Sequence, residues 1–339
     1  MARTTAQQGG ATPADPTAWD DDALLPGFVV RRLPAWVPPE PRPAGRLAVA
    51  GRPDPVLTLV RPVEQPPTPR GVVVHLHGYN DYFFQAHLAR AFSAAGWAFL
   101  AVDARRCGRS WREDEVPHYQ ADLREQADDL GVGVRIAREL FGGVPVVVHG
   151  HSTGGLVAAL WAHAHRARGG PDALVLNSPF LSVTNSWIRP LADRALLTIA
   201  RRTPLRVLFA EPSRYAGRLL DRWEFDPTLK SPDGVPARAA WLAAVRAGQQ
   251  RVARGLAVQV PVLLAHSTRS GQDLPDDPGL DSADTVLDVV PMARLGLTIG
   301  PRVSEVAIDG GVHDLCLSTD RPRAHYLQAV TDFLATVAR

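Results

Sequence analysis

Cysteine is scarce in this sequence: Cys107 and Cys316 are the only two among 339 residues. Two cysteines cannot build a disulfide framework, and such low usage fits a protein of a reducing compartment. No uncharged apolar run reaches the roughly 18 residues that a membrane span requires. Residues 1–27 also lack the apolar segment of a signal peptide. We therefore expect a cytoplasmic protein without an integral membrane segment.

A concentrated basic patch is also missing. The 37 Lys and Arg residues nearly balance the 35 Asp and Glu residues, which gives a formal net charge of +2. A nearly neutral chain without a basic block has little attraction for phosphate backbones, so we expect no nucleic-acid partner. Apolar residues make up 45% of the chain and charged residues 21%, a composition that supports a packed globular core.

Short apolar runs alternate with helical patterns along most of the chain. The patterns predict buried strands at residues 71–77, 97–102, 144–149, 173–177, 260–266 and 303–308, and helices at 83–95, 119–140, 156–165, 285–295 and 322–338. Wholly apolar strands that alternate with helices indicate an α/β fold whose mostly parallel sheet has helices on both faces. Residues 56–60 predict a further strand among prolines, which we expect at the sheet edge because proline cannot donate to a ladder.

The alternation stops between residues 181 and 255. This stretch has a helical pattern and carries Trp187, Trp223 and Trp241. We interpret it as a helical cap or lid inserted into an α/β core that residues 28–180 and 256–339 form. Residues 1–27, rich in Ala, Thr, Asp, Pro and Gly, are expected to be a flexible N-terminal tail.

The sequence Gly-His-Ser-Thr-Gly at residues 150–154 carries the chemistry. It follows an apolar strand directly and precedes a helix of small residues, which is the strand–turn–helix context of a nucleophile elbow. In this context Ser152 is predicted to be a nucleophile at the carboxyl end of the sheet. The backbone N–H of Thr153, at the start of the helix, is predicted to stabilise an oxyanion.

A serine nucleophile needs a base, and in this chain order an acid and then a histidine follow the serine. His313 lies in a loop after a strand and is the predicted base, whereas His266 comes too early and His325 belongs to a helix surface. Asp284 is the preferred acid because it precedes an apolar helical pattern, with Asp288 next and Asp273 third. The full set of candidate acids is Asp273, Asp276, Asp277, Asp281, Asp284 and Asp288.

The loop after the first core strand is the expected source of the second oxyanion donor. It reads His77-Gly78-Tyr79-Asn80, and Gly78 permits the close backbone approach that makes the Tyr79 N–H a donor. An alternative is that His75 and His77, on one face of a strand, bind a metal. No further ligands with the spacing of a metal site accompany them, so we expect neither a metal nor an organic cofactor.

These motifs resemble the monoacylglycerol lipase and lysophospholipase-like branch of the α/β-hydrolase superfamily, also described as serine aminopeptidase-like. The resemblance runs from about residue 55 to 339, through the His-Gly of the oxyanion loop, the Gly-His-Ser-x-Gly-Gly elbow, the Ser-Ala-Asp at 282–284 and the Gly-Val-His-Asp at 311–314. The segment at 103–110 resembles the family's Asp-x-Arg-Gly-His-Gly-x-Ser, except that Arg106-Cys107 replaces Gly-His. Thr153 replaces the commoner methionine, and the loop at 267–283 is longer than usual.

The resemblance implies an α/β-hydrolase fold with a cap, and hydrolysis of a carboxylic ester or a monoacyl lipid through an acyl-enzyme on Ser152. An aminopeptidase or an acyltransferase with the same three residues is the alternative within enzymes. A non-catalytic binding protein that kept the fold is the alternative of another class. Cys107, flanked by glycine, is interpreted as part of a structural turn rather than as a reactive thiol.

Overall fold

The computed structural model describes residues 18–36, 55–182, 189–210, 212–275 and 277–338. Its strands are β1 (Asp20–Asp21), β2 (Phe28–Pro34), β3 (Val56–Pro62), β4 (Val72–Leu76), β5 (Ala98–Asp103), β6 (Val146–His151), β7 (Ala173–Asn177), β8 (Val207–Phe209), β9 (Ala237–Arg238), β10 (Val262–Ser267) and β11 (Val303–Ile308). Its α-helices are α1 (Ala86–Ala94), α2 (Leu123–Leu140), α3 (Thr153–Ala164), α4 (Arg189–Arg202), α5 (Arg214–Leu219), α6 (Ala239–Ala253), α7 (Val289–Gly296) and α8 (Asp320–Val337).

Nine strands form one sheet in the order β1-β2-β3-β5-β4-β6-β7-β10-β11. The six strands from β5 to β11 in this order pair in parallel, and β1, β2 and β3 add an antiparallel extension to β5. The parallel strands β4 to β7 and β10 are buried along their whole length because helices cover both faces. The predicted parallel α/β sheet is thereby confirmed.

Side chains that alternate along each strand enter two separate core clusters. Val72 and Val74 belong to the cluster that α2, α3 and α6 cover. Val73, between them, belongs to the cluster that α1 and α8 cover. This division lets each strand bury every side chain. Parallel pairing brings the carboxyl ends of β4, β6, β7 and β10 to one edge of the sheet.

Strand β3 lies inside the sheet, so the prediction of an edge strand at residues 56–60 is wrong. It pairs with β2 on one side and with β5 on the other. Pro55 precedes the strand and Pro62 is its last residue, so neither proline removes a donor from the centre of the ladder. Prolines that flank a strand therefore do not restrict it to the edge.

The N-terminal segment is folded further than the flexible-tail prediction allowed. Residues 1–17 lie outside the described residues, but Asp20 and Asp21 pair with β2 as strand β1. The carboxylate of Asp22 is buried and forms an ion pair with Arg109, 2.6 Å from its guanidinium. Arg109 also binds Asp103, 2.8 Å away. A buried ion pair holds residues 20–27 to the sheet, so a tail through residue 27 is wrong for them.

The segment between β7 and β10 contains α4, α5 and α6, in agreement with its helical pattern, and residues 189–255 are called here the intervening segment. It also contains the short antiparallel pair of β8 and β9, which the pattern did not predict. The residues of β8 are largely exposed, so their sequence does not have the apolar pattern of a buried strand. Trp187 lies outside the described residues. That this segment acts as a lid, and that it forms a domain with the boundaries 181–255, stay predictions.

Helix α7 begins at Val289, four residues after the helix predicted at 285–295. Asp288 caps it by accepting a hydrogen bond from the Val290 N–H. The residues before it form a turn around Asp284 instead of a first helical turn. Across the described ranges, no helix is at once long and apolar enough to cross a bilayer.

Candidate active site

Ser152 lies at the sharp turn between β6 and α3. Its backbone has φ 53° and ψ −118°, a region that L-residues rarely occupy. Two hydrogen bonds hold this backbone: Ser152 N donates to Asn177 O at 3.0 Å, and Phe180 N donates to Ser152 O at 2.9 Å. A side chain on Gly150 would bring its Cβ to 2.7 Å from the carbonyl oxygen of Gly154, so only glycine fits there. The turn therefore presents the serine hydroxyl at the carboxyl end of the sheet.

Three residues from distant parts of the chain meet at this hydroxyl. His313 Nε2 lies 3.0 Å from Ser152 Oγ, and His313 Nδ1 lies 2.9 Å from Asp284 Oδ2. All three side chains are buried. The backbone N–H groups of Val286 and Leu287 donate to Asp284 Oδ1 at 2.9 and 2.8 Å. Both carboxylate oxygens are thus hydrogen bonded, and the carboxylate orients the imidazole toward the serine.

The other candidate acids do not contact the imidazole. Asp288 caps α7, and Asp273 Oδ1 accepts a hydrogen bond from the backbone N–H of Tyr215 at 2.8 Å. Asp277 accepts hydrogen bonds from its own loop, and Asp281 forms an ion pair with Arg218. Asp276 lies outside the described residues. Of the described candidates, Asp284 is the one that the structure brings to His313.

The other histidines occupy the places that the sequence indicated. His266 Nε2 lies 2.8 Å from Glu305 Oε1 and His266 Nδ1 lies 2.7 Å from Ser267 O, both away from Ser152. His325 is exposed on α8. Neither therefore competes with His313 for the serine.

The oxyanion loop, residues 77–81, packs directly against the serine. A Cβ on Gly78 would lie 3.0 Å from Ser152 Cβ, which shows how closely the two backbones approach. In the part of the chain that the structure describes, the N–H groups of Tyr79 and Thr153 have no hydrogen-bond acceptor. Two unpaired N–H groups beside a serine hydroxyl are what a developing oxyanion would need.

The intervening segment holds this loop at three successive residues. Tyr79 stacks on Trp241 with ring centroids 3.9 Å apart, and its hydroxyl donates to Pro236 O at 3.1 Å. Asn80 exchanges two hydrogen bonds of 2.9 Å with the backbone of Ser231. Asp81 forms a buried ion pair with Lys230, with Nζ 2.9 Å from Oδ1. The oxyanion loop and the intervening segment are therefore one connected structure.

Asp314 organises the loop that carries the histidine. Its Oδ1 accepts hydrogen bonds from the Asn177 amide at 2.7 Å and from Cys316 N at 3.2 Å. Burial alone would raise the pKa of the Asp314 carboxyl, but His151 and these hydrogen bonds hold it well below its ordinary value. The Tyr215 hydroxyl accepts a 2.9 Å hydrogen bond from Asp314 N, and the Tyr215 ring meets the His313 ring edge-on. The loop that carries His313 is thus held by buried hydrogen bonds to the Asp314 carboxylate and backbone.

Asp81, His151 and Asp314 form the one group of three potential metal ligands that the described ranges contain, with ligand atoms within 4.8 Å of one another. A divalent cation could accept nitrogen and oxygen ligands of this kind. However, the Lys230 ammonium already neutralises Asp81, and Asp314 is engaged by Asn177. The group therefore fits a hydrogen-bonded charge cluster better than a metal centre.

The two histidines weighed as metal ligands from the sequence bind other groups. His77 Nε2 accepts a hydrogen bond from Ala104 N at 3.1 Å, and His77 Nδ1 donates to Gly78 O at 2.7 Å. His75 Nδ1 lies 2.8 Å from His149 Nδ1 inside the core. His77 therefore stabilises the oxyanion loop. Cys107 is buried, and burial raises the pKa of its thiol, as a structural rather than a reactive cysteine requires.

Sequence reasoning missed several residues that shape the site. Asp314 follows His313 directly, and its position in that motif is a signal that could have been used. Lys230 is the only lysine in the sequence, which also marks it. Asn177 and Tyr215 carry no local signal, because only the packing of β7 and α5 beside the histidine loop gives them a role.

Fold and site together place the chain among the α/β hydrolases. A family model described as serine aminopeptidase, S33, matches residues 67–270, which is more than half of the chain. The chain therefore belongs to the serine aminopeptidase S33 family, which confirms the serine aminopeptidase-like resemblance of its motifs. A search of curated protein sequences found no match.

Solved structures agree on the fold. The monoacylglycerol lipase of Paleococcus ferrophilus has a TM-score of 0.61 at 20% identity and covers 80% of this chain and 96% of its own. A soluble variant of monoglyceride lipase from Saccharomyces cerevisiae, with a substrate analog, has a TM-score of 0.62 at 15% identity, covering 84% and 93%. A thermostable carboxyl esterase from Bacillus coagulans, with glycerol, has 0.60 at 15%, covering 92% and 99%. These similarities confirm the α/β-hydrolase fold.

Proposed function

We propose that this protein hydrolyses carboxylic esters through an acyl-enzyme on Ser152. The observation that carries the proposal is the continuous buried chain from Ser152 Oγ to His313 Nε2, at 3.0 Å, and from His313 Nδ1 to Asp284 Oδ2, at 2.9 Å. With a proton on Nδ1 donated to the carboxylate, Nε2 accepts the serine hydroxyl proton. This tautomer makes the imidazole a base toward Ser152.

The proposed reaction has two halves. Ser152 Oγ attacks the ester carbonyl and passes its proton to His313, while the N–H groups of Tyr79 and Thr153 stabilise the oxyanion. His313 then gives the proton to the leaving alkoxide, and an alcohol departs from the acyl-enzyme. A water molecule attacks the acyl-enzyme through the same base and releases the carboxylic acid. Asp284 stabilises the imidazolium in both halves.

A fluorophosphonate probe tests the nucleophile. Wild-type protein should be labelled covalently, and Ser152→Ala protein should not, because the probe phosphonylates an activated serine hydroxyl. Thermal unfolding of both proteins is the control for folding. Equal labelling of both proteins would contradict the proposal by placing the reactive group at another residue. No labelling of the wild type would contradict it as well and would favour a non-catalytic binding protein with this fold.

A large groove beyond the elbow is the candidate site for a long apolar acyl group, although neither Ser152 nor His313 lines it. The groove has a volume of about 1260 Å³ and lies between α2, α3, α4 and α6. Val157, Leu160 and Trp161 of α3 line it, together with Leu197 of α4. Val157 lies four residues after Thr153, the first residue of α3. At about 1.5 Å per residue, the near part of the groove is therefore ~6 Å along the helix axis from the end that carries Ser152. We propose monoacyl lipids as substrates for this reason, in line with the lipase names of two structural neighbours.

A series of p-nitrophenyl esters with graded chain length tests the acyl group. Activity should rise from acetate to long-chain esters in the wild type, and Ala247→Trp, which fills the groove from α6, should remove that preference. Ala253→Trp is the matched control, since it is an exposed position of the same helix that does not line the groove. The same chain-length profile in all three proteins would contradict this assignment of the groove.

Peptidase action is the second candidate, because the family model is described as a serine aminopeptidase. Aminoacyl p-nitroanilides distinguish it from esterase action, since they present an amide bond beside a free amino group. Turnover of the anilides comparable with that of the esters would favour a peptidase. Transfer of the acyl group to an added alcohol or amine, detected as a new ester or amide, would favour an acyltransferase.

A further inference from the structure

Lys230 stands out chemically in this chain. It is the only lysine among 37 basic residues, all the others being arginine. Its side chain is 7% exposed, although lysine is among the residues least often buried. A sequence that uses arginine everywhere else retains a lysine at one buried position, which points to a role that the arginine side chain does not fill.

The surroundings of the ammonium fit a compact cation. Its Nζ lies 2.9 Å from Asp81 Oδ1 and 3.4 Å from the carbonyl oxygen of Asn80. It also lies over the rings of Phe84 and Phe225, 5.7 and 6.0 Å from their centroids. A planar guanidinium has a different size and hydrogen-bond geometry from this point charge, so Arg would not reproduce both contacts.

Asp81 depends on this lysine. The carboxylate is buried, and within the described part of the chain its Oδ2 has no hydrogen-bond partner. His151 and Asp314 are the other ionisable groups of the cluster, and His118 also lies within electrostatic range of Lys230. Burial lowers the pKa of His118 to about 3 and also lowers that of His151, whereas the Lys230 ammonium lies 2.9 Å from Asp81 Oδ1. Lys230 is therefore the cation that balances Asp81.

The residue after Lys230 holds the neighbouring position of the oxyanion loop. Ser231 exchanges two backbone hydrogen bonds with the Asn80 side chain, whose oxygen accepts and whose amide donates. Asn80 has φ 52°, a left-handed conformation that needs support from its surroundings. The two residues after Tyr79 are thus held by two successive residues of the intervening segment. Ser231 forms two hydrogen bonds with the Asn80 side chain, and Lys230 forms an ion pair with Asp81.

We infer that Lys230 is a positioning residue of the oxyanion hole: by holding Asp81 and the Asn80 carbonyl, it aims the Tyr79 N–H at the substrate oxyanion beside Ser152. The inference rests on the proposed function. Oxyanion stabilisation requires donors fixed before the reaction begins, and a displacement of about 1 Å can lower a rate about 10²-fold. The position of Tyr79 is set by the two residues that follow it.

Steady-state kinetics of Lys230→Met on a p-nitrophenyl ester test this role. We expect kcat, normalised to the fraction of protein that fluorophosphonate labels, to fall about 10- to 100-fold with KM within about twofold. Arg222→Met is the matched control, because Arg222 is an exposed cation of the same segment. It should leave kcat unchanged.

Two further variants separate positioning from mere stability. Lys230→Met with Asp81→Asn removes both buried charges, so it should unfold at a higher temperature than Lys230→Met alone and yet keep the low kcat. Lys230→Arg keeps the cation but cannot reproduce both contacts of the ammonium, so it should fold and lower kcat in the same way. This variant decides the matter if Lys230→Met does not fold.

The outcomes are distinct. Wild-type kcat per labelled site in Lys230→Met, or recovery of kcat in the double variant, would show that Lys230 only neutralises a buried charge, and would overturn the inference. Wild-type kcat in Lys230→Arg would overturn it as well. Wild-type protein without any turnover would contradict the proposed function, and the role of Lys230 with it.

Discussion

Replacing Asp284 by Asn should reverse the hydrogen-bond polarity of the site without changing its shape. Asp284 Oδ1 accepts hydrogen bonds from two backbone N–H groups, those of Val286 and Leu287. An asparagine must keep its carbonyl oxygen toward these two donors, because its NH₂ would face them donor to donor. The amide NH₂ then faces His313 Nδ1, which has to accept a hydrogen bond. The imidazole proton moves to Nε2, where it blocks transfer from Ser152.

The expected loss is large because the wrong tautomer has no base. A fall in kcat on the order of 10⁴-fold corresponds to ~5.4 kcal/mol of transition-state free energy, at about 1.36 kcal/mol per tenfold change. Initial rates on a p-nitrophenyl ester measure it, with thermal unfolding to show that the variant folds. Asp288→Asn is the matched control, four residues on, and should stay within about twofold, because Asp288 caps α7 and does not contact His313.

Two results would refute this reasoning. If Asp284→Asn kept kcat within about tenfold of the wild type, the contact between Asp284 and His313 would not determine the tautomer. If Asp288→Asn lost as much activity as Asp284→Asn, the acid assignment would be wrong. Either result would leave the fold unaffected, because neither side chain belongs to the apolar core.

Three further predictions concern stability. Gly154→Ala should destabilise the protein by several kcal/mol and lower activity, because the new Cβ would overlap the carbonyl oxygens of Leu76 and His77. Urea titration measures the loss. Gly142→Ala is the control and should fold normally, because the nearest atom to its new Cβ is 3.6 Å away. Arg109→Ala should lower the free energy of unfolding by about 3–5 kcal/mol, because it leaves the buried carboxylates of Asp22 and Asp103 without their cation. Arg135→Ala is the control: Arg135 is exposed, so its replacement should change the free energy of unfolding by less than about 1 kcal/mol. Burial lowers the pKa of His149 to about 4, so the unfolded chain binds more protons than the folded one between pH 4 and about 6.5. The free energy of unfolding should therefore fall as the pH drops through that window, by ~3 kcal/mol at about 1.36 kcal/mol per unit. His149→Gln should flatten this slope by about one proton, and an unchanged slope would contradict the assignment.

The sequence determined most of the sheet and the turn that carries the serine. Apolar runs such as residues 98–102 leave no polar face, so they become buried strands between helices. The glycines around Ser152 similarly permit one kind of tight turn between a strand and a helix. The order of serine, acid and histidine along the chain then narrowed the candidate base to His313.

Local pattern failed where long-range pairing decides the outcome. Residues 56–60 predicted an edge strand, but an edge is a property of neighbours that the local sequence does not encode. The position of Asp22, far along the chain from Arg109, likewise converts an apparently flexible segment into part of the fold. Both errors arose from reading proline and polar residues without their spatial partners.

Tertiary structure was needed to separate Asp284, the acid that the sequence preferred, from the other candidates. Six aspartates lie between residues 273 and 288, and their spacing alone does not show which of them contacts the histidine. Choosing Asp284 requires the distance to His313, which depends on how the loops after β10 and β11 fold over the sheet edge. The same holds for Lys230, whose role exists only because the intervening segment returns to the oxyanion loop. Short-range sterics and hydrophobic patterning act within a few residues and can be read along the chain. Hydrogen bonds and ion pairs between distant residues form only after the chain has folded. The sequence therefore identified Ser152 and His313, whereas the roles of Lys230, Asn177 and Tyr215 became visible only in the folded chain.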